Sequence, residues 1–150
     1  MPTAWARAEL LRSRKRIRKM NNKELIELAA SAAKNSYSPY SHFRVGAALL
    51  CDDGSVYLGC NIENSAYSAT VCAERTAIFK AISDGKRGFQ KIAVVGGEDG
   101  LLEKQCAPCG VCLQVMSEHC DASNFVVLLA DNEGIHEYTL GEMLPYAFKK

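Results

Sequence analysis

Cys72-Ala73-Glu74-Arg75-Thr76-Ala77 and, further along, Pro108-Cys109-Gly110-Val111-Cys112 each stand where a loop or strand hands over to a helical stretch. The apolar pattern reads Cys72 to Ser83 as a helix stopped near Gly85, and Gly110 to His119 as a second helix. Working outward, Phe43 to Cys51 and Val56 to Cys60 are strand-like runs joined by the turn Asp52-Asp53-Gly54, which predicts a β-hairpin. Lys91 to Val95 and Phe125 to Ala130 read as short buried strands, and Asn132-Glu133-Gly134 turns the chain into a last strand, Ile135 to Thr139. Before the hairpin, Leu25, Leu28, Ala29 and Ala32 recur at helical spacing, so Lys23 to Lys34 is a helix with Asn22 as its expected N-cap, ending before Ser38-Pro39. A short helical stretch is expected at Gly141 to Leu144, before Pro145. Strands interleaved with helices predict an α/β layered domain. No internal repeat or low-complexity segment is present.

The same two stretches carry the chemistry. Three thiols can hold a zinc ion and leave its fourth tetrahedral position to water, whereas a structural site closes with a fourth ligand. Glu74, two residues beyond Cys72, suits a proton carrier beside that water better than it suits a ligand. Thiolates at helix N-termini face unpaired backbone N–H groups and the positive end of the helix dipole, which favours the anionic sulfur and hence metal binding. Three thiolates around Zn²⁺ sum to −1, so a compensating cation is wanted, and Arg75 is the candidate. Cys106 complicates the count, because Cys106-x-x-Cys109-x-x-Cys112 contains two overlapping Cys-x-x-Cys pairs. Spacing alone admits an open site and a closed one made by Cys72, Cys106, Cys109 and Cys112.

The 150 residues suit one domain large enough to bury a core without disulfides. Seven cysteines are an odd number, and the first twenty residues lack the apolar run of a signal peptide, so reduced thiols and a cytoplasmic setting are expected. No stretch approaches the roughly 20 apolar residues of a membrane span. The formal charge of +1 hides an asymmetry: residues 1–20 hold seven basic side chains against Glu9 alone, a balance of +6, which leaves −5 for residues 21–150. An acidic body argues against nucleic acid as a partner. The basic segment reads as a solvated extension, with the natural start at Met20-Asn21-Asn22-Lys23 and the first nineteen residues dispensable.

With these residues in place, the pattern Cys-x-Glu followed by Pro-Cys-x-x-Cys matches that of zinc deaminases at every defining position. Ser38-Pro39-Tyr40-Ser41-x-Phe43-x-Val45-Gly46-Ala47-Ala48, Gly59-Cys60-Asn61-Ile62-Glu63-Asn64 and the two cysteine blocks together resemble the cytidine deaminase family from about Lys23 to Phe148. The resemblance implies a three-layer α/β/α fold on a mixed five-stranded sheet and a homotetramer with one zinc per subunit. It implies hydrolysis of free cytidine and 2′-deoxycytidine to the uridines and ammonia, as in pyrimidine salvage; from the acidic body and the lack of a membrane-length apolar run, neither nucleic acid nor membrane is expected as a partner. The resemblance selects Cys72, Cys109 and Cys112 as ligands and Glu74 as the proton carrier. Asn61 and Glu63 match the family's ribose-binding pair, and an amide with a carboxylate can donate and accept across sugar hydroxyls. Phe43 matches an aromatic against the nucleoside, Phe148 one given to a neighbouring subunit's pocket, and Tyr67 lies in a segment at subunit contacts.

The chain departs from that pattern at Leu113, where the family usually has arginine, and at Ala107, where it usually has serine. Gln114 is retained. Cys51, Cys60 and Cys120 read as small buried hydrophobes, and His42, His119 and His136 show no ligand spacing. The absence of a histidine at the zinc motif separates the chain from His-x-Glu deaminases of nucleotides and nucleic acids. Two other readings are a deaminase of a related aminated nucleoside and a non-catalytic zinc module with the closed four-cysteine site.

Overall fold

A computed structural model describes residues 19–150, so the basic segment lies almost wholly outside the described residues. Asn22–Ala33 forms helix α1, with Asn21 and not Asn22 as its N-cap: Asn21 accepts from the Glu24 N–H while the Glu24 carboxylate accepts from the Asn21 N–H. This reciprocal box needs a spacing of three between cap and acid, which only Asn21 satisfies. Strands β1 (Phe43–Cys51) and β2 (Val56–Cys60) form the expected hairpin, with Gly54 at φ 86° in the turn. A short 3₁₀ turn at Tyr67–Ala69 leads to α2 (Ala73–Ser83), then β3 (Phe89–Glu98), α3 (Gly110–His119), β4 (Val126–Asp131), β5 (Gly134–Thr139) and α4 (Leu140–Met143).

The strands make one five-stranded sheet in the order β2-β1-β3-β4-β5. Only β3 and β4 run parallel, and their connection contains α3, as a parallel crossover requires. The sheet is therefore mixed, as expected. Alternation along the strands sends residues to two faces. On one face Ala48, Leu50, Ala93, Val95 and Leu128 pack with Leu25 and Ala29 of α1. On the other, Ala47, Leu49, Ile92, Val94, Val127 and Leu129 pack with Ala77, Ile78 and Ala81 of α2, Cys112 and Met116 of α3, and Leu140. The result is the expected three-layer α/β/α sandwich.

Two glycines bring helices directly onto the sheet. A Cβ on Gly46 would lie 1.9 Å from the Ala29 carbonyl oxygen of α1, and one on Gly59 would lie 2.3 Å from the Ala73 oxygen of α2. The head of α2, with its sulfur and carboxylate, is thus seated against the end of β2. Thr76 reinforces this seat, its hydroxyl lying 3.0 Å from the Cys60 oxygen and 3.2 Å from the Cys72 oxygen.

Candidate metal centre and adjoining cleft

Cys72 is the N-cap of α2 and Cys109 the N-cap of α3, and neither side chain is spent on a capping hydrogen bond. Cys112 lies in the first turn of α3 and is buried. The Sγ atoms of Cys72, Cys109 and Cys112 all lie within 4.8 Å of one another, and Cys72 and Cys109 are 3.8 Å apart. Zinc–sulfur bonds of about 2.3 Å in a tetrahedron set sulfurs roughly 3.8 Å apart, so this soft donor set fits zinc. All seven cysteines are free thiols, and Cys106 stays outside the cluster, packed against the core near Gly96. Burial pushes the Cys106 thiol up to about 11.

The electrostatics favour one anionic sulfur even before a metal is considered. The hydrogen bond from Cys112, helped by Arg75 and Cys109, pulls the Cys72 thiol down to about 5. Cys112, which gives that bond and is itself desolvated, is pushed upward. The Arg75 guanidinium donates to Cys72 Sγ at 3.4 Å, and this partnership raises its own already high pKa. Its Nε is buried without a partner. Arg75 thus places a positive charge against the Cys72 sulfur. Leu113, at the position where the family usually has arginine, is buried in the core beneath α2 and α3 and contributes packing.

Glu74 is only 3% exposed, and its Oε2 lies 3.7 Å from Cys112 Sγ. Burial is the main cause that raises its carboxyl pKa. A buried carboxyl with raised affinity for a proton, held beside a metal-binding cluster, can both take and return that proton.

Asn61 and Glu63 flank Ile62, which pairs with Val71, the residue before Cys72, through backbone bonds of 2.9 and 3.0 Å. Glu63 Oε2 accepts from the N–H groups of Tyr40 and Ser41 at 3.0 and 3.3 Å, and Oε1 accepts from the Ser41 hydroxyl, an interaction that lowers the carboxyl pKa most. Tyr40, Ser41, Glu63, Asn64, Tyr67 and Thr70 line a cleft of about 380 Å³, large enough for a small ligand. Phe43 begins β1, 40% exposed, and its carbonyl is held by the Asn61 amide at 2.8 Å. Neither Asn61 nor Phe43 lines the cleft, and Phe148 does not either. Phe148 is 68% exposed, with its carbonyl accepting from Gln114 of α3 at 3.1 Å.

The sequence reading did not single out the clamp on the loop that delivers Cys109. Gln105 donates to Asp131 at 3.0 Å and accepts from the Tyr138 hydroxyl at 2.9 Å, tying the loop to β4 and β5. His136 Nε2 lies 3.0 Å from the same aspartate. These partners are far apart in sequence and form no local motif.

Comparison with known proteins agrees with this geometry. The family profile described as "Cytidine and deoxycytidylate deaminase zinc-binding region" matches residues 19–129. A cytidine deaminase of Sporosarcina psychrophila is 50% identical over 87% of this chain and 93% of its own length. One of Halalkalibacterium halodurans is 49% identical over 86% and 95%. A crystal structure of cytidine deaminase from Burkholderia pseudomallei, 43% identical, superposes with a TM-score of 0.78 over 86% of this chain and all of that one. Motifs, sheet order, sulfur cluster and relatives converge, and the chain belongs to the cytidine and deoxycytidylate deaminase family.

Proposed function

We propose that this protein is a zinc-dependent hydrolase that deaminates free cytidine and 2′-deoxycytidine to uridine and deoxyuridine. The observation that carries the reading is the buried Glu74 carboxyl beside three thiols gathered at two helix N-termini. Cys72, Cys109 and Cys112 would hold the zinc. A zinc ion held there would supply Lewis acidity sufficient to make a water acidic near neutral pH. Glu74 would take a proton from the attacking water and deliver it to ring nitrogen N3, which makes C4 electrophilic. The hydrolysis forms a C4–O bond and breaks the C4–N bond: Glu74, freed of its first proton, would take the proton of the hydroxyl now on C4 and pass it to the departing amino group, which leaves as ammonia while C4 becomes a carbonyl. Arg75 offsets the negative charge of the sulfurs.

Asn61 and Glu63 take the sugar hydroxyls, and Phe43 packs against the nucleoside. Phe148, exposed in the single chain, serves a neighbouring subunit's pocket in a homotetramer. Exposed Tyr67 and Tyr146 suit the same contacts between copies. Among the described residues no helix is long and apolar enough to cross a membrane, and we place the enzyme in the cytoplasm. Residues 1–20 form a dispensable extension of the domain at 21–150, and a chain starting at Met20 should retain turnover and assembly. Rates on cytidine, cytosine, CMP and a cytosine-containing oligonucleotide test the substrate class. Cytidine should be preferred by a wide margin. A preference for CMP or the oligonucleotide would overturn the free-nucleoside reading.

A further inference from the structure

The Asn61 side chain offers four hydrogen-bonding positions, two on its carbonyl oxygen and two on its NH₂ group. Three are committed within the chain. Oδ1 accepts the Val45 N–H at 2.9 Å, and Nδ2 donates to the Phe43 carbonyl at 2.8 Å. These backbone partners fix which end of the amide is oxygen. The second acceptor position on Oδ1 is filled by the hydroxyl of Ser36. Since Oδ1 has no proton to give, Ser36 is the donor there. Ser38 Oγ, 3.2 Å from Ser36 Oγ and buried, can supply the proton that Ser36 then accepts. One N–H of Asn61 is left over, and it is a donor.

Ser36 reaches Asn61 from a different direction than the strand does. It follows α1, its N–H held by the Ala33 carbonyl at 3.1 Å, and the next residue, Tyr37, is laced to the 61–63 segment by backbone bonds of 3.1 and 2.8 Å. Val45 and Phe43 lie along one strand, and the Ser36 contact adds a third tether to the amide from the α1 side.

We infer that Ser36 is a positioning residue for sugar recognition: its hydroxyl saturates Asn61 Oδ1 and holds the amide so that its remaining N–H is presented as a donor to a hydroxyl oxygen of the nucleoside's sugar. This rests on the reading of Asn61 as a sugar-binding residue. Glu63 offers the complementary function, since its Oε1 keeps an acceptor position after the Ser41 bond.

The test compares kcat/KM on cytidine and on 2′,3′-dideoxycytidine for the wild-type enzyme and for Ser36→Ala, with Ser36→Thr as the variant that keeps a hydroxyl. Ser36→Cys, near in size and a poor donor, serves if the alanine variant does not fold. Wild-type enzyme should favour cytidine. Loss of the Ser36 hydroxyl should shrink that preference about 2- to 12-fold, the range of one neutral hydrogen bond, through KM on cytidine with kcat unchanged. The rate on the dideoxy substrate should stay put, and threonine should restore the preference. If wild type shows the preference and the variant keeps it in full, or loses rate equally on both substrates, the positioning role is refuted while the sugar reading stands. If wild type does not distinguish the two substrates, the sugar reading itself fails and takes this inference with it.

Discussion

Gly59→Ala joins the fold to the chemistry. The added methyl would stand 2.3 Å from the Ala73 carbonyl oxygen and 2.5 Å from the Ala77 nitrogen, both backbone atoms of α2, where ordinary contacts begin at 3.4 Å. Neither atom can rotate away, so the helix has to retreat by about 1 Å to reach normal contact distance. Such overpacking costs about 1–3 kcal/mol of stability. The retreat also moves Cys72, Glu74 and Arg75 relative to Cys109 and Cys112, which sit on α3 and have no reason to follow. Metal sites tolerate only about 0.2 Å in ligand distance, and a misplacement of about 1 Å can lower rates on the order of 100-fold. Urea denaturation of the zinc-loaded protein, chelator competition for zinc and kcat on cytidine together read the effect. The variant should lose stability, zinc affinity and turnover. A variant with the wild-type urea midpoint and zinc affinity would refute the claim that this contact sets the position of α2.

The other expected outcomes concern single side chains. Glu74→Gln should keep one zinc per chain and lower kcat by about 10² to 10⁴, the usual worth of a positioned acid–base group; retention of substantial activity would remove Glu74 from its role. Arg75→Gln should weaken zinc binding about 10- to 100-fold and move the rise in activity to higher pH, and an unchanged affinity and pH profile would show that Arg75 is only a structural cation. Cys106→Ser should bind zinc with unaltered stoichiometry and affinity because its sulfur lies outside the cluster; loss of the metal would restore the closed four-cysteine site. Asp131 is held at about 2, first by the bond to His136 and then by Gln105, against about 3.9 in an unfolded chain. A depressed carboxylate stabilises the fold above about pH 4 and loses that contribution as pH falls through about 2. Asp131→Asn should therefore flatten the acid limb of stability in that window, measured by thermal unfolding across pH, and an unchanged slope would count against the clamp.

Local chemistry made much of this molecule legible in advance. Cys72 and Cys109 could be placed at helix starts because the apolar period begins just after each, whereas spacing left Cys106 as a fourth candidate and only the family resemblance singled out three sulfurs. Element ends were less readable. Periodicity gives Lys91 to Val95 as a strand, yet β3 runs from Phe89 to Glu98, because Gly96, Gly97 and Glu98 pair with Val45, Arg44 and Phe43 across the sheet without any apolar signal of their own. Likewise β4 starts at Val126, while Phe125 turns into the core. The 3₁₀ turn at Tyr67–Ala69 has neither a side-chain cap nor a buried face to announce it. The bonds from Ser36 to Asn61 and from Gln105 to Asp131 and Tyr138 link residues far apart in the chain, so only the folded arrangement reveals them.

If three thiols and Glu74 make an open zinc site that hydrolyses a free pyrimidine nucleoside, catalysis must come and go with the metal. Cytidine turnover by the purified protein, before and after metal removal by a chelator and again after zinc is returned, tests it most directly. Uridine and ammonia should appear in equal amounts, cease with the metal and resume with zinc. Turnover indifferent to chelation, or a fully zinc-loaded protein that leaves cytidine unchanged, would contradict the account.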